Sequence, residues 1–284
     1  MGPVRVEEAA PNPAAVLELA GAAEAADGVA PLSEPVLIDL HENAGRHFLA
    51  SGDGTLLGYA HLDTEGAELV VHPDHRRRGI GGRVLDALES AGAELAWAHG
   101  RLPAALAFAA TRGWTATRTL WQLRRPLAGE IPAAPLPDGI TLRPFVPGQD
   151  EEAWVAVNAR AFAHHPEQGS WTGREVRLRE AEPWFDPAGF LLAVRDDGSL
   201  AGFHWTKVHP GPPPIGEVYV LGVDPSAQGM RLGPALTVAG LRYLRGRGLA
   251  DVMLYVDDDN PAAVRLYQRL GFAEWDADVQ FRRL

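Results

Sequence analysis

The 284-residue sequence predicts a mixed α/β protein with a largely antiparallel central sheet, built as two copies of one domain. Three observations carry that prediction: an internal repeat kept in order, the same succession of strand, glycine-bearing loop and helix in each copy, and a proline-rich divide between them. Residues 69–84, LVVHPDHRRRGIGGRV, lie over 221–236, LGVDPSAQGMRLGPAL, with Pro73 on Pro225. Residues 102–114, LPAALAFAATRGW, lie over 260–272, NPAAVRLYQRLGF, and the second copy has six more residues between the two matches. A repeat retained at this spacing marks two equivalent structural units.

In each copy, alternating apolar segments read as an antiparallel meander: His47–Ala50 and Leu56–His61 in the first, Phe190–Val194 and Leu200–Val208 in the second. They feed a central strand, Ala67–Val71 or Val218–Val223, which runs into a proline-containing turn, the glycine-bearing loop and an amphipathic helix. A further strand follows, Leu95–Ala98 or Val252–Val256, then a short helix with Pro103 or Pro261 in its first turn, where a missing N–H breaks no helical bond. A final strand is expected to close each copy. The segment 126–139, PLAGEIPAAPLPDG, has four prolines, two glycines and no apolar periodicity, so it reads as an extended linker between domains 1–125 and 140–284.

Composition narrows the function. The chain contains no cysteine, which rules out disulfides, thiolate zinc sites and a cysteine nucleophile. A formal charge of −11 argues against a nucleic-acid partner, since phosphate binding needs a basic face. No apolar run approaches the roughly 20 residues that span a bilayer, and Met1–Ala10 has no signal-peptide pattern, so a cytoplasmic, non-membrane protein is expected, with a monomer as the default. Among 26 basic residues only Lys207 is a lysine. Ten histidines include the pairs His72/His75 and His164/His165, but neither has a second ligand cluster beside it, and no metal is expected.

The loops 76–81, RRRGIG, and 228–233, QGMRLG, each stand between a strand and a helix N-terminus, where unpaired N–H groups and the helix dipole favour a phosphate. Here the sequence resembles the GNAT superfamily of N-acetyltransferases, whose pyrophosphate loop reads Gln/Arg-x-x-Gly-x-Gly/Ala. The same superfamily carries Asn-x-x-Ala-x-x-x-Tyr before Gly-Phe in its later helix, matched by Asn260, Ala263, Tyr267, Gly271 and Phe272. The second loop departs from the pattern in placing Arg231 at the first glycine, where the arginine is expected to accept a helical conformation and add charge beside a phosphate. The tandem copies, Trp97-Ala98-His99-Gly100, residues 163–169 (AHHPEQG) and Gly216–Val220 (GEVYV) resemble in particular the mycothiol synthase family, over nearly the whole chain.

That resemblance implies two acetyl-CoA sites. In the first copy Leu69, Val70, Val71, Arg77, Arg78, Gly79, Ile80, Gly81 and Gly82 would hold the cofactor. In the second, Leu221, Gly222 and Val223 would offer N–H groups to the acetyl carbonyl and pantetheine arm, and Gln228, Gly229, Met230, Arg231, Leu232, Gly233 and Pro234 would hold the pyrophosphate. Asn260, Pro261, Ala262, Ala263, Val264 and Arg265 would line the cofactor's other side. The family implies Glu217 as the base and Tyr267 as the acid for the leaving thiolate, with Glu34, Glu167, Lys207, Glu217 and Tyr255 around the acceptor, a cysteinyl-glucosaminyl-inositol. Ala109 stands opposite Tyr267 and Leu102 opposite Asn260, so the first copy is expected to bind acetyl-CoA without turning it over; Glu65 falls opposite Glu217, so the expected loss rests on the acid side alone. A tandem acetyltransferase for another amine (an aminoglycoside, an amino acid or a protein N-terminus) and a non-catalytic acyl-CoA sensor remain open at this point, because one fold hosts many acceptors.

Overall fold

The computed structural model describes residues 3–283, apart from the side chains of residues 166 and 167. It divides into two compact units, residues 1–120 with 276–284, and residues 121–275.

The first unit runs β1 (Arg5–Glu8), α1 (Pro13–Asp27), α2 (Glu34–Glu42), β2 (Arg46–Gly52), β3 (Thr55–Leu62), β4 (Ala67–Val71), α3 (Ile80–Ser90), β5 (Leu95–Ala98), α4 (Pro103–Thr111) and the first half of β6 (Trp114–Pro126). α1 begins where Asn12 accepts the N–H groups of Ala14 and Ala15 ahead of Pro13, and it stops at Gly28, which takes the left-handed conformation at φ 75°. Strands β1 to β4 pair antiparallel, and β4 pairs parallel with β5. One face buries Phe48, Leu57, Ile80 and Leu88; the other buries Val16, Leu19, Tyr59 and Val70 under α1 and α2. Each such side chain contributes roughly 1.5–3 kcal/mol by leaving water.

The second unit contains the rest of β6, then β7 (Ile140–Pro144), α5 (Glu151–Ala161), α6 (Pro166–Gly169), α7 (Gly173–Glu180), β8 (Phe190–Arg195), β9 (Leu200–His209), β10 (Ile215–Val223), α8 (Leu232–Gly246), β11 (Asp251–Asp257), α9 (Pro261–Arg269) and the start of β12 (Ala273–Arg283). β7, β8, β9 and β10 form the antiparallel meander, and β11 joins β10 in parallel. One face is aromatic: Trp205 stacks on Phe190 at 4.2 Å, and Phe190 on Phe145 at 4.4 Å. The other buries Val218, Leu241, Leu244, Val252 and Leu254 against α8. Residues 127–139 form no helix or strand, yet Leu127 and Ile131 are buried in this core and the Leu127 N–H donates to the Ala250 carbonyl, so the segment is seated on the second unit.

The units do not end where the repeat suggests. From Asp276 onward β12 belongs to the first unit, where it pairs antiparallel with β5, Val279 opposite Ala98. β5 engages β4 through only Ala96 and Trp97, and β12 satisfies its other edge. Side chains fix the register: Asp278 accepts the Gly100 N–H (2.9 Å) and Asp276 the Arg101 N–H (3.1 Å), while His99 lies between Asp278 (2.9 Å) and Glu68 (3.1 Å). Glu68 also accepts the Ser33 N–H at 2.7 Å. Burial alone would lower the His99 pKa; Glu68 and Asp278 outweigh it and raise it to about 10, so the ring is an imidazolium at neutral pH.

A raised folded-state pKa gives stability that is complete below the unfolded value near 6.5 and lost as pH climbs through about 10. Replacing His99 with Ala leaves the buried Glu68 and the part-buried Asp278 without their shared cation and is expected to lower the unfolding free energy by about 3 kcal/mol near pH 7. Urea denaturation across pH 6 to 11 checks this, with the gap to the wild type closing above about pH 10.

Candidate active site

β10 carries a break in its pairing with β9. Glu217 stands opposite Lys207 and Val218 opposite Thr206, but Val220 stands opposite Trp205, so Tyr219 is an inserted residue in a β-bulge. On the other side, β10 pairs with β11 only over Gly216–Val218, although it continues to Val223. Beyond Val218 the two strands part. Among the described residues, the edge of β10 over 219–223 that faced β11 has no further ladder partner, and it offers backbone N–H and C=O groups to an extended, amide-bearing ligand.

Glu217 and Lys207 are buried beside this opening. The Glu217 Oε2 lies 2.6 Å from His209 Nε2, and His209 is about one-third exposed, so the carboxylate has a hydrogen-bonded route to solvent. Lys207 Nζ lies 4.5 Å over the Trp184 ring and 5.1 Å over Tyr219, which hold its charge in an aromatic corner. His209 was not among the sequence-derived candidates. Its signal is its position two residues past Lys207, which strand alternation puts on the same face.

Tyr267 sits in α9, buried and edge-on to Phe272 at 5.7 Å. Burial raises its pKa to about 12, which keeps the phenol protonated, and among the described residues no hydrogen bond occupies the hydroxyl. Asn260 caps the same helix by accepting the Ala263 N–H at 3.1 Å. Tyr255 is partly exposed and its hydroxyl accepts the Gln122 amide at 2.8 Å. Glu34 lies in the first turn of α2, in the first unit. Residue 167 falls in α6, and its side chain lies outside the described residues.

The two glycine-bearing loops share one backbone. The first has left-handed residues at Arg77 (φ 61°) and Gly79 (φ 80°), the second at Gly229 (φ 82°) and Arg231 (φ 62°), so glycine and arginine exchange places between copies. Arg231 therefore adopts the left-handed conformation, against the helical one expected for it, at a cost of about 1–2 kcal/mol. Each loop is entered through a single 3-10 turn, capped by the Asp224 carboxylate on the Ser226 N–H and by His72 Nδ1 on the Asp74 N–H. His72 thus has a structural task. His165 likewise contacts Asp257 at 3.1 Å. Among the described residues Asp39, His61 and Asp63 form the one trio spaced as metal ligands could be; it lies in the first unit, with His61 3.2 Å from Asp39.

The first unit repeats the parting of strands, since β4 pairs with β5 only at Ala67 and Glu68 and runs on to Val71. It lacks the bulge: β4 pairs with β3 without a shift from Ala67 to Val71. Matching the registers sets Val71 on Val223, Glu68 on Val220 and Ala67 on Val218, which brings Gly66 to the position of Glu217. The expected pairing of Glu65 with Glu217 is overturned, because the bulge adds a residue that an ungapped alignment cannot see. Glu65 lies in the exposed turn before β4, its N–H on the Asp63 carboxylate. Ala109, opposite Tyr267, fills the core of the first unit.

The family model described as "Acetyltransferase (GNAT) family" matches residues 154–272, and "Acetyltransferase (GNAT) domain" matches residues 43–116. The chain is 57% identical to a "Mycothiol acetyltransferase" of Salinispora arenicola, over 96% of this chain and 94% of the relative. It is 55% identical to a protein of the same description from Thermobispora bispora, over 99% of each. Among solved structures, a tandem GNAT protein from the clavulanic acid biosynthesis pathway superposes with a TM-score of 0.73 at 21% identity, covering 98% of both chains, which shows the shared fold. With two acetyltransferase domains and relatives this similar along its length, the chain belongs to the mycothiol acetyltransferase family of tandem GNAT proteins.

Proposed function

We propose that this chain transfers the acetyl group of acetyl-CoA to the cysteinyl amine of cysteinyl-glucosaminyl-inositol, giving mycothiol and CoA. The observation that carries the reading is a buried carboxylate, Glu217, hydrogen-bonded to His209 and set two residues before the bulge that opens β10. Acetyl-CoA supplies the acyl group as a thioester. Glu217, directly or through a water, takes one proton from the acceptor ammonium so that its nitrogen can form the new C–N bond. On the edge that β11 leaves, the N–H groups of Leu221 and Val223 stabilise the oxyanion that develops at the thioester carbonyl and hold the pantetheine arm, with Gly222 between them turning its N–H to β9. As the C–S bond breaks, Tyr267 donates its proton to the sulfur, a role suited to a phenol held neutral by burial. Lys207 and Tyr255 bind acceptor oxygens beside Glu217. The reaction drawn this way uses no metal.

Residues Gln228 to Pro234 hold the pyrophosphate at the start of α8, where Gly229 and Gly233 have no atom closer than 3.9 Å to a built Cβ and leave room for a phosphate. Asn260 to Arg265 line the other wall. The first unit holds a second acetyl-CoA through Leu69 to Val71 and Arg77 to Gly82, without turnover, because it lacks both a carboxylate at the Glu217 position and a tyrosine at Ala109. The division of labour follows 1–125 and 140–284 apart from β12. Among the described residues no helix is long and apolar enough to cross a membrane. The proposed reaction is that of a monomer in the cytoplasm acting on a small molecule.

Purified protein with acetyl-CoA and the cysteinyl pseudo-disaccharide is expected to release CoA and form the N-acetylcysteinyl product; turnover only with some other amine would overturn the acceptor. Glu217→Gln should lower kcat by about 10²-fold or more with acetyl-CoA binding intact, read by steady-state kinetics and calorimetry. Tyr267→Phe should cost about 10- to 10²-fold in kcat, the smaller loss because a thiolate departs readily. Calorimetric titration with acetyl-CoA is expected to resolve two sites, and Arg77→Glu with Arg78→Glu should remove one of them while turnover persists.

A further inference from the structure

The two copies fill one position between sheet and helix in different ways. The register that sets Val71 on Val223 also sets Gly58 on Gly202, Tyr59 on Phe203 and Ala60 on His204. α3 and α8 start at the aligned residues Ile80 and Leu232, so Leu88 in the first helix answers to Gly240 in the second. In the first unit Ala60 and Leu88 are fully buried in one apolar core. In the second unit His204 stands for the alanine and Gly240 for the leucine. The exchange is reciprocal: a Cβ at 240 would overlap the His204 ring, so the larger side chain on the strand requires the smallest residue on the helix.

Packing alone does not account for this pair. The His204 ring is fully buried, and its Nδ1 lies 2.7 Å from the Leu236 carbonyl of α8. Burial lowers its pKa to about 4, so at neutral pH the ring is uncharged and its one N–H donates to that carbonyl. Nε2 is also buried and has no hydrogen-bond partner among the described residues, a cost that an apolar side chain would not carry. Glycine inside α8 adds a second cost, since it is a poor helix former. The first unit shows that the same fold accepts an apolar pair at both positions, free of both costs.

The histidine supplies a directional link between two parts of the cofactor site. Its cross-strand partner is Leu221, whose N–H turns to the open edge, so the two form a non-hydrogen-bonded pair, the kind that brings side chains closest. Its own hydrogen bond ends on the second turn of α8, the helix that begins in the 228–233 loop. We propose that His204 is a positioning residue for acetyl transfer, fixing α8, and with it the pyrophosphate, against the Leu221 N–H that receives the thioester carbonyl. Apolar contact is non-directional and lets a helix slide, whereas a hydrogen bond fixes both distance and angle. Holding acetyl-CoA, the task assigned to the first unit, tolerates such slack. Turnover does not, because a misplacement of about 1 Å costs about 10²-fold in rate. The proposal rests on the reaction assigned above, which lays the thioester along β10.

The double variant His204→Ala with Gly240→Leu gives the second unit the pair that the first unit already packs, and His204→Asn keeps a donor near the place of Nδ1. Both are compared with the wild type for turnover of the cysteinyl pseudo-disaccharide, acetyl-CoA binding by calorimetry and thermal unfolding. The double variant should lose about 10- to 10²-fold in kcat while its acetyl-CoA affinities stay within about threefold and its unfolding midpoint does not fall; His204→Asn should recover most of kcat. A kcat within about threefold of the wild type in the double variant, or a loss matched by an equal loss of acetyl-CoA affinity or by a lower midpoint, overturns the positioning role. If the wild type does not acetylate the pseudo-disaccharide, the proposed reaction fails, and amide hydrogen exchange decides the role of His204. Acetyl-CoA should then slow exchange over residues 219–223 in the wild type and about tenfold less in the double variant. Equal slowing in both, or none in the wild type, overturns it.

Discussion

The second unit depends on one backbone constraint, the early end of the ladder between β10 and β11. A strand that leaves its neighbour while both continue exposes polar groups that cost free energy unless something satisfies them. The bulge at Tyr219 produces the departure, and the aromatic face behind it makes the departure tolerable: Trp205, Trp184 and Trp171 pack around Tyr219, and Arg179 donates to its hydroxyl at 2.6 Å. A rigid wall on one side lets the other side stay open. Glu217 and Lys207 are placed by the same register, so the geometry that opens the edge also sets the charged groups beside it.

The exchange of glycine and arginine between the two loops shows how a backbone shape can outlast the residues that first suited it. Four left-handed positions are needed, two per loop, and in each loop one is filled by a residue that strains to adopt it. A conformation kept at that cost implies that the direction of the N–H groups at the start of α3 and α8 matters more than local comfort. Arginine at either position also leaves a cation beside the helix N-terminus, which glycine would not provide.

Much of this was legible in the amino-acid sequence and some was not, for identifiable reasons. The repeat, the meander strands and the helices opened by Pro103 and Pro261 follow from periodicity and proline placement, and the structure has them within a residue or two. α1 has little amphipathic contrast in its alanine-rich sequence, so periodicity does not reveal it, although Asn12 before Pro13 is a helix-start signal. The bulge was invisible to an ungapped comparison and misdirected the pairing of Glu65. His209 belongs to no motif, because a histidine at the end of a strand looks like any surface residue until the register places it on Glu217. The exit of β12 from the second copy cannot be read locally at all, since it depends on which strand edge needs covering.

That last point bears on the order in which the molecule is made. The strand that covers β5, and the carboxylates that receive His99, Gly100 and Arg101, come after the whole of the second unit in chain order. Translation therefore delivers the second unit before the first can be completed, so the strand that closes the first sheet arrives only after another unit has been made.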